Sequence, residues 1–230
     1  MDRPIALITG GTRGIGRAIA DSLGVDHHIL VGGTHADLAA RVAADLPSAE
    51  PWPIDLTDPD AVAAACEQID RLDVLIHSAG LGARGTVADL PRTEWRRVFE
   101  LNVFAVADLT RALLPALRAA HGQVVMINSG AGFVSSPGGS LYAASKFALR
   151  ALADGLREEE RGRVRVTSIH PGRVDTDMQR ELQASGERPY DPADHLTPHS
   201  VAATVRAAID ASPEAMVETL SIRPVVGPLR

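Results

Sequence analysis

A glycine-rich turn set between an apolar run and a helical period is the feature that most restricts what this chain can fold into. Residues 5–9 form a short apolar run without Pro or Gly and read as a buried strand. Thr9-Gly10-Gly11-Thr12-Arg13-Gly14-Ile15-Gly16 follows, and residues 17–23 then recur at helical spacing. Such a turn lets backbone N–H groups approach a pyrophosphate at the N-terminus of the helix. The spacing is G-x-x-x-G-x-G, not G-x-G-x-x-G. A glycine cluster alone is compatible with a plain turn. One lodged between a first strand and a first helix favours nucleotide binding.

The rest of the chain repeats the strand–helix alternation. Residues 29–31 read as a second strand ending at Gly32-Gly33-Thr34, and residues 36–45 as a helix. An acid at that strand end would bond a ribose 2′-hydroxyl and disfavour a 2′-phosphate. None is there, because Asp37 comes a turn later, and Arg13 is well placed to meet a 2′-phosphate. Both points lean toward NADP(H). A third strand is expected over residues 53–56. Asp58 or Thr57 would cap the next helix, which has Pro59 in its first turn and runs to about residue 69. A fourth strand, residues 72–76, leads to His77-Ser78-Ala79-Gly80. Residues 93–118 read as one long helix, kinked or ended early by Pro115. Asn102 lies in its middle, where the bland reading is an exposed or water-bonded amide.

A fifth strand, residues 123–127, ends at Asn128-Ser129-Gly130, and a Gly- and Ser-rich loop precedes a helix reaching about residue 159. A sixth strand, residues 164–169, is closed by His170-Pro171-Gly172. Residues 175–197 are polar, with Gly186, Pro189 and Pro192, and read as a mobile flap over a site. A helix over 200–211 and a strand over 218–222 complete the pattern. The expected architecture is a Rossmann-type, doubly wound parallel sheet in three α/β/α layers, with residues 1–230 as a single α/β domain. Ligands in such sheets bind beyond the carboxyl ends of the strands, where all these motifs lie.

Composition removes several alternatives. The net charge of −6 argues against nucleic acid, whose phosphates need a basic face. No apolar stretch is long enough to span a bilayer. The single cysteine, Cys66, excludes an intrachain disulfide and fits a reducing cytoplasm. The eight histidines show no metal-ligand spacing, so no metal is expected.

Tyr142 and Lys146 stand four residues apart, so on a helix both project from one face. A fixed positive charge beside a phenol favours the phenolate and makes the tyrosine usable as a proton donor and acceptor. Taken alone the pair also suits a solvated helix face. With the other motifs in order, the chain resembles the classical short-chain dehydrogenase/reductase family, from residue 5 to about residue 222. The resemblance rests on Thr9-Gly10-x-x-x-Gly14-x-Gly16, Ala79-Gly80, Leu101-Asn102-Val103, Ser129 thirteen residues before Tyr142, Tyr142-x-x-x-Lys146, and Pro171-Gly172-Arg173-Val174-Asp175-Thr176. His77-Ser78 stands where the family has Asn-Asn.

The resemblance implies hydride transfer between a nicotinamide and a carbonyl or alcohol carbon. Tyr142 would deliver the proton and Ser129 would hold the oxygen. Lys146 would grip the nicotinamide ribose, and Asn102 would hold a water that links Lys146 to solvent. Cofactor contacts are implied at Gly10, Thr12, Arg13, Gly14, Ile15, Gly16, Thr34, Asp55, Leu56, Ala79, Gly80, Tyr142, Lys146, Pro171, Gly172, Val174 and Thr176. Among these, Asp55 would meet adenine and the 171–176 segment would meet the nicotinamide carboxamide. Leu81, Arg84, Phe133, Val134, Met178 and Tyr190 are expected around the substrate. Most of these are apolar, which suggests a small apolar carbonyl or alcohol. Family members are commonly dimers or tetramers, so a homodimer or homotetramer is expected. The rival reading is a non-catalytic NADP(H)-binding regulator or scaffold on the same fold, which has no need of Asn102, Ser129, Tyr142 and Lys146 together.

Overall fold

Among the described residues, seven strands are formed: β1 Ile5–Thr9, β2 His28–Gly33, β3 Ala49–Pro53, β4 Val74–His77, β5 Gln123–Ile127, β6 Arg165–Pro171 and β7 Thr219–Ile222. The computed structural model describes residues 3–183 and 189–226. All strands run parallel in one sheet of order β3-β2-β1-β4-β5-β6-β7. The direction of winding reverses between β1 and β4, and the crevice above that reversal is where a ligand binds in sheets of this kind. The central strands are buried on both faces, so they read as apolar runs and not as alternations.

The helices are α1 Gly14–Leu23, α2 Ala36–Ala44, α3 Pro59–Cys66, α4 Arg92–Phe99, α5 Ala105–Ala120, α6 Ser140–Glu159, α7 Asp177–Gln183 and α8 Pro198–Ile209. Two apolar layers result. Ala18, Ile19 and Leu23 of α1, Val42 of α2, and Val201 and Val205 of α8 pack on Ile8, Ile29 and Val31. Val62 of α3, Leu109 and Leu113 of α5, and Leu149 and Leu156 of α6 pack on Leu7, Leu75 and Met126. This is the expected single α/β domain in three layers.

Three local expectations are corrected. The third strand is Ala49–Pro53, not residues 53–56, and pairs Ile29 with Ala49 and Gly33 with Pro53. Pro51 and Pro53 lack an N–H to donate, which is tolerated because β3 is an edge strand. The long helix is three pieces, with a π-helical turn Glu100–Phe104 between α4 and α5. Pro115 neither ends α5 nor stops it short, since the helix runs to Ala120 with Pro115 on its exposed side. There the carbonyl that a proline leaves unpaired can turn to water. The flap region is more regular than its composition suggests. It contains α7 and a 3₁₀ turn Pro192–Asp194, and is tied down by a bridge between Val174 and Leu196. Residues 184–188 of the expected flap, Gly186 included, lie outside the described residues, as do the first two and last four of the expected 1–230 domain.

Candidate active site

The glycine turn is built for close backbone approach. Gly10 and Gly14 have φ of +63° and +55°, conformations that a side chain disfavours. A Cβ on Gly10 would stand 3.0 Å from the Cα of Ala79, and one on Gly16 would stand 2.2 Å from the Gly10 carbonyl oxygen. Thr9, which sequence reading used only as the start of the motif, fastens the two loops. Its hydroxyl accepts from the N–H of Ser78 (3.0 Å) and of Ala79 (3.1 Å). Helix α1 begins at Gly14 with no side-chain cap and no acid in its first turn, so its free N–H groups face the strand ends. Across the gap, a Cβ on Gly14 would lie 3.5 Å from Thr176 Cγ2. This cradle, which any side chain would fill, fits a dinucleotide pyrophosphate.

The other expected cofactor positions lie along the same edge. Thr12 packs against Gly33, leaving no room there for a Cβ, and Thr34 is exposed. Arg13 is exposed on the rim and pairs with Asp177 of α7 at 3.4 Å. Ile15 and Leu56 turn their side chains into the two core layers. Asp55 follows β3, where one carboxylate oxygen accepts from the N–H (2.9 Å) and hydroxyl (2.7 Å) of Thr57. Those bonds hold its pKa below the ordinary carboxylate value. Asp58, with Pro59 behind it, caps α3 as expected. Pro171 ends β6, Gly172 N–H bonds Ile222 O at 2.7 Å, and Val174 is buried.

Asn102, Ser129, Tyr142 and Lys146 meet at the carboxyl ends of β4 and β5. Asn102 is buried, not exposed. Its Oδ1 accepts from Leu81 N–H (2.8 Å), and its Nδ2 donates to Leu81 O (3.0 Å) and Ser145 Oγ (3.1 Å). The side chain thus ties the loop after β4 to α6. The π-helical turn carries it inward, and a π-turn within a helix is a frequent mark of a functional site. Gly80 leaves space beside both Asn102 Oδ1 and Lys146 Nζ.

Ser129 follows β5, and its hydroxyl accepts from Ala131 N–H at 3.1 Å, leaving its own proton free to be donated. Burial pushes the half-buried Tyr142 phenol above its ordinary pKa, and a hydrogen bond with Ser129 pulls it back. Lys146 lies 5.8 Å from the Tyr142 ring centre, is buried, and donates to Ile127 O at 3.0 Å. Burial presses its pKa down to about 8. The expected lowering of the Tyr142 pKa by Lys146 is therefore not what governs the chain without ligand, where desolvation raises the phenol.

Two signals escaped sequence reading. Lys146 is the sole lysine among 23 basic residues, so arginine is used everywhere except at this buried point. An ammonium is compact and its pKa can be shifted by burial, which a guanidinium does not allow. The second is His170, whose Nδ1 lies 3.0 Å from Ser129 O and whose Nε2 lies 2.9 Å from Ser168 Oγ.

A cleft of about 380 Å³ opens in front of Ser129 and Tyr142. Arg84 and Val134 line it as expected, but Leu81, Phe133, Met178 and Tyr190 do not. The Leu81 backbone is taken by Asn102. Phe133 packs on His170 with ring centres 4.2 Å apart. Tyr190 donates to Asp175 at 2.6 Å and stacks on His195. Instead Ser135, Ser136, Gln179 and Gln183 supply a polar wall, with Ala83, Pro137 and Leu182 as apolar patches. Spacing along one chain could not reveal this, because α7 delivers Gln179, Leu182 and Gln183 from a distant segment. Among the described residues, no three metal-ligating side chains gather, and no helix is long and apolar enough to cross a membrane.

Comparison with known proteins agrees with this geometry. The short chain dehydrogenase family model matches residues 4–187. The bovine (Bos taurus) dehydrogenase/reductase SDR family member 7B is 35% identical over 89% of this chain and 70% of its own length. The 3-oxoacyl-[acyl-carrier-protein] reductase FabG of Escherichia coli (strain K12) is 31% identical over 77% of this chain and 76% of its own. Among solved structures, an alcohol dehydrogenase from the archaeon Thermococcus sibiricus, complexed with 5-hydroxy-NADP, superposes with a TM-score of 0.90 at 26% identity over 100% of both chains. A putative NAD(P) dependent gluconate 5-dehydrogenase from Beutenbergia cavernae with bound NADP gives 0.87 at 31% identity, covering 97% of this chain and 96% of its own. The cradle, the Ser129–Tyr142–Lys146 cluster and the family match together make this chain a member of the short-chain dehydrogenase/reductase family, an oxidoreductase that acts on an alcohol or carbonyl group with NAD(P).

Proposed function

We propose that the chain is an NADP(H)-preferring reductase or dehydrogenase of a small carbonyl or alcohol, with Tyr142 as its proton donor and acceptor. The observation that carries the reading is that Ser129 and Tyr142 line one cleft beside the glycine cradle, with Lys146 buried 5.8 Å from the Tyr142 ring centre. When bound, the reduced nicotinamide supplies the hydride and its oxidised form accepts it. In the reducing direction Tyr142 Oη gives its proton to the substrate oxygen as negative charge grows there. Ser129, whose proton is free, donates a hydrogen bond to the same oxygen and orients it. Lys146 holds ribose hydroxyls, and its ammonium favours the phenolate that Tyr142 leaves. Asn102 keeps the 81–82 loop and α6 in register. Acid–base help of this kind is worth ~10²- to 10⁴-fold.

The preference for NADP(H) is supported by the absence of an acid at the β2 end and by Arg13 on the rim. The Arg13–Asp177 pair is exposed on both sides, and such pairs contribute only ~0–1 kcal/mol, so a 2′-phosphate can displace Asp177. The NADP-type ligands in the archaeal and Beutenbergia neighbours point the same way. A homodimer or homotetramer is supported by Phe104 and Phe147, which remain exposed near the two long helices. A reducing cytoplasm is the compartment that suits the free, buried Cys66.

The test is NADPH consumption, followed by absorbance, against a panel of aldehydes, ketones and quinones. Turnover that vanishes in Tyr142→Phe while NADPH still binds supports the reading. NADPH binding with no turnover on any panel member would return the chain to the non-catalytic, cofactor-binding alternative.

A further inference from the structure

Acidic residues outnumber basic ones in this chain, 29 to 23, yet the substrate cleft reverses the balance. Among the described residues, its lining contains two arginines, Arg84 and Arg173, and no carboxylate. Most of the chain's arginines spend their guanidinium on an acid or a carbonyl, as Arg17, Arg118, Arg157 and Arg206 do. The side chains of Arg84 and Arg173 make no hydrogen bond or ion pair to any described residue.

Both are fixed at the base. The residue after Arg84 donates its N–H to Gly138 O at 2.9 Å, and Arg84 Cγ lies 3.9 Å from where a Cβ on Gly138 would be. This holds Arg84 against the loop that leads into α6 and Tyr142. Arg173 O accepts from Leu196 N–H at 2.9 Å, two residues beyond Pro171. Further cations lie behind the wall. His170, bonded to Ser129 O, feels Arg150, Arg223 and Lys146, all of which oppose its protonation. A water-filled cleft with one sign of charge at its rim concentrates ligands of the opposite sign.

We infer that the substrate carries an oxyanion, a carboxylate or a phosphate ester, held by Arg84 and Arg173 while its carbonyl or alcohol group meets Ser129 and Tyr142. The planar guanidinium forks suit either anion with paired N–H···O bonds. Ala83, Val134 and Leu182 then contact only the short carbon body between the two ends. This rests on the reading of Tyr142 and Ser129 given above and adds the class of substrate to it.

The experiment compares NADPH-dependent reduction of oxocarboxylates of increasing chain length with that of their methyl esters, and adds the phosphate monoester of a hydroxyketone. For the best-fitting length, kcat/KM for the anion should exceed that for the neutral ester by ten-fold or more, roughly the value of one charge-assisted hydrogen bond. The acid and phosphate arms tell the two anions apart. Arg84→Gln and Arg173→Gln should each bring the anion-to-ester ratio toward one without raising the KM for NADPH, and Arg84→Lys should keep part of the preference. Equal or faster turnover of the esters would overturn the inference and leave the proposed function standing. A rise in the NADPH KM with an unchanged ratio would also overturn it, since the arginines would then serve the cofactor. No reduction of any member would overturn the inference, while the aldehyde, ketone and quinone panel decides the proposed function separately.

Discussion

His170 Nδ1 lies 3.0 Å from the carbonyl oxygen of Ser129, and its Nε2 lies 2.9 Å from Ser168 Oγ. With Nδ1 carrying the proton, the neutral ring donates to Ser129 O and accepts from Ser168 Oγ, so both nitrogens are satisfied. The ring thereby fixes the backbone of the residue whose hydroxyl faces Tyr142. His170→Phe, which keeps the ring volume and removes the donor, should lower kcat by roughly ten-fold, the equivalent of one neutral hydrogen bond, with little change in NADPH affinity. An unaltered kcat would show that Ser129 is held by other means.

Acidification should destabilise the fold through two histidines. Burial holds the His77 pKa down at about 3 and also lowers that of His170, where Arg150, Arg223 and Lys146 add to the effect. Unfolded histidine titrates near ~6.5, so below that pH the unfolded chain binds protons that the folded chain refuses. The stabilisation is present above pH ~6.5 and is lost as the pH falls toward 3. Each histidine contributes up to about 1.4 kcal/mol per pH unit to the slope. Urea unfolding between pH 7 and 4 measures this. His77→Gln should make the dependence shallower, even if its own stability at pH 7 is reduced by loss of the 2.9 Å contact with Thr110.

Lys146 should be irreplaceable by arginine. Its ammonium is buried and its pKa in the chain without ligand is about 8. A folded pKa below the ordinary lysine value means that the protonated form is lost as pH rises through about 8. Because kcat/KM reports groups of the free enzyme, it should fall above that pH. Lys146→Arg keeps the charge but brings a larger, planar head into a packed site, and a loss of ~10²-fold or more in kcat is expected. A pH profile flat to well above 8, or an active arginine variant, would contradict this.

Arg13→Ala should raise the KM for NADPH by about ten-fold while changing that for NADH by less than two-fold, as expected for the loss of one charge-assisted bond to a phosphate. Asp177→Asn removes the competing carboxylate at 3.4 Å and should lower the NADPH KM by up to about five-fold, the limit set by an exposed ion pair. Equal effects on the two cofactors would remove Arg13 from the discriminating group.

Two glycines provide opposite controls on packing. Gly16→Ala puts a Cβ 2.2 Å from the Gly10 carbonyl oxygen, so the cradle must distort. A loss of NADPH binding and about 1–3 kcal/mol of stability is expected. Gly155 sits exposed in α6 with nothing within 4 Å of an added Cβ, and Gly155→Ala should stabilise by about 0.5–1 kcal/mol. Thermal melts with and without NADPH distinguish the two.

Much of the fold was legible because its signals are local. The run Ile5–Thr9, the glycine turn, the strand Gln123–Ile127 and the helix bearing Tyr142 and Lys146 each depend on neighbours within a few residues. What misled was also local. Pro51 and Pro53 disguise β3, which exists because β2 offers it an edge, and Asn102 looks like an ill-placed helical amide until the π-turn carries it to Leu81 and Ser145.

By itself the sequence determined the parallel α/β sheet, the nucleotide cradle, and the identities of Ser129, Tyr142 and Lys146, since glycine spacing and helical period are written into consecutive residues. Only the tertiary structure decided the ionisation of those groups and the lining of the cleft. Both depend on burial and on side chains brought from far along the chain: Arg84 and Ser136 from loops, Arg173, Gln179 and Gln183 from the segment after β6. Desolvation and charge are properties of a place in space, and no spacing along the chain records them.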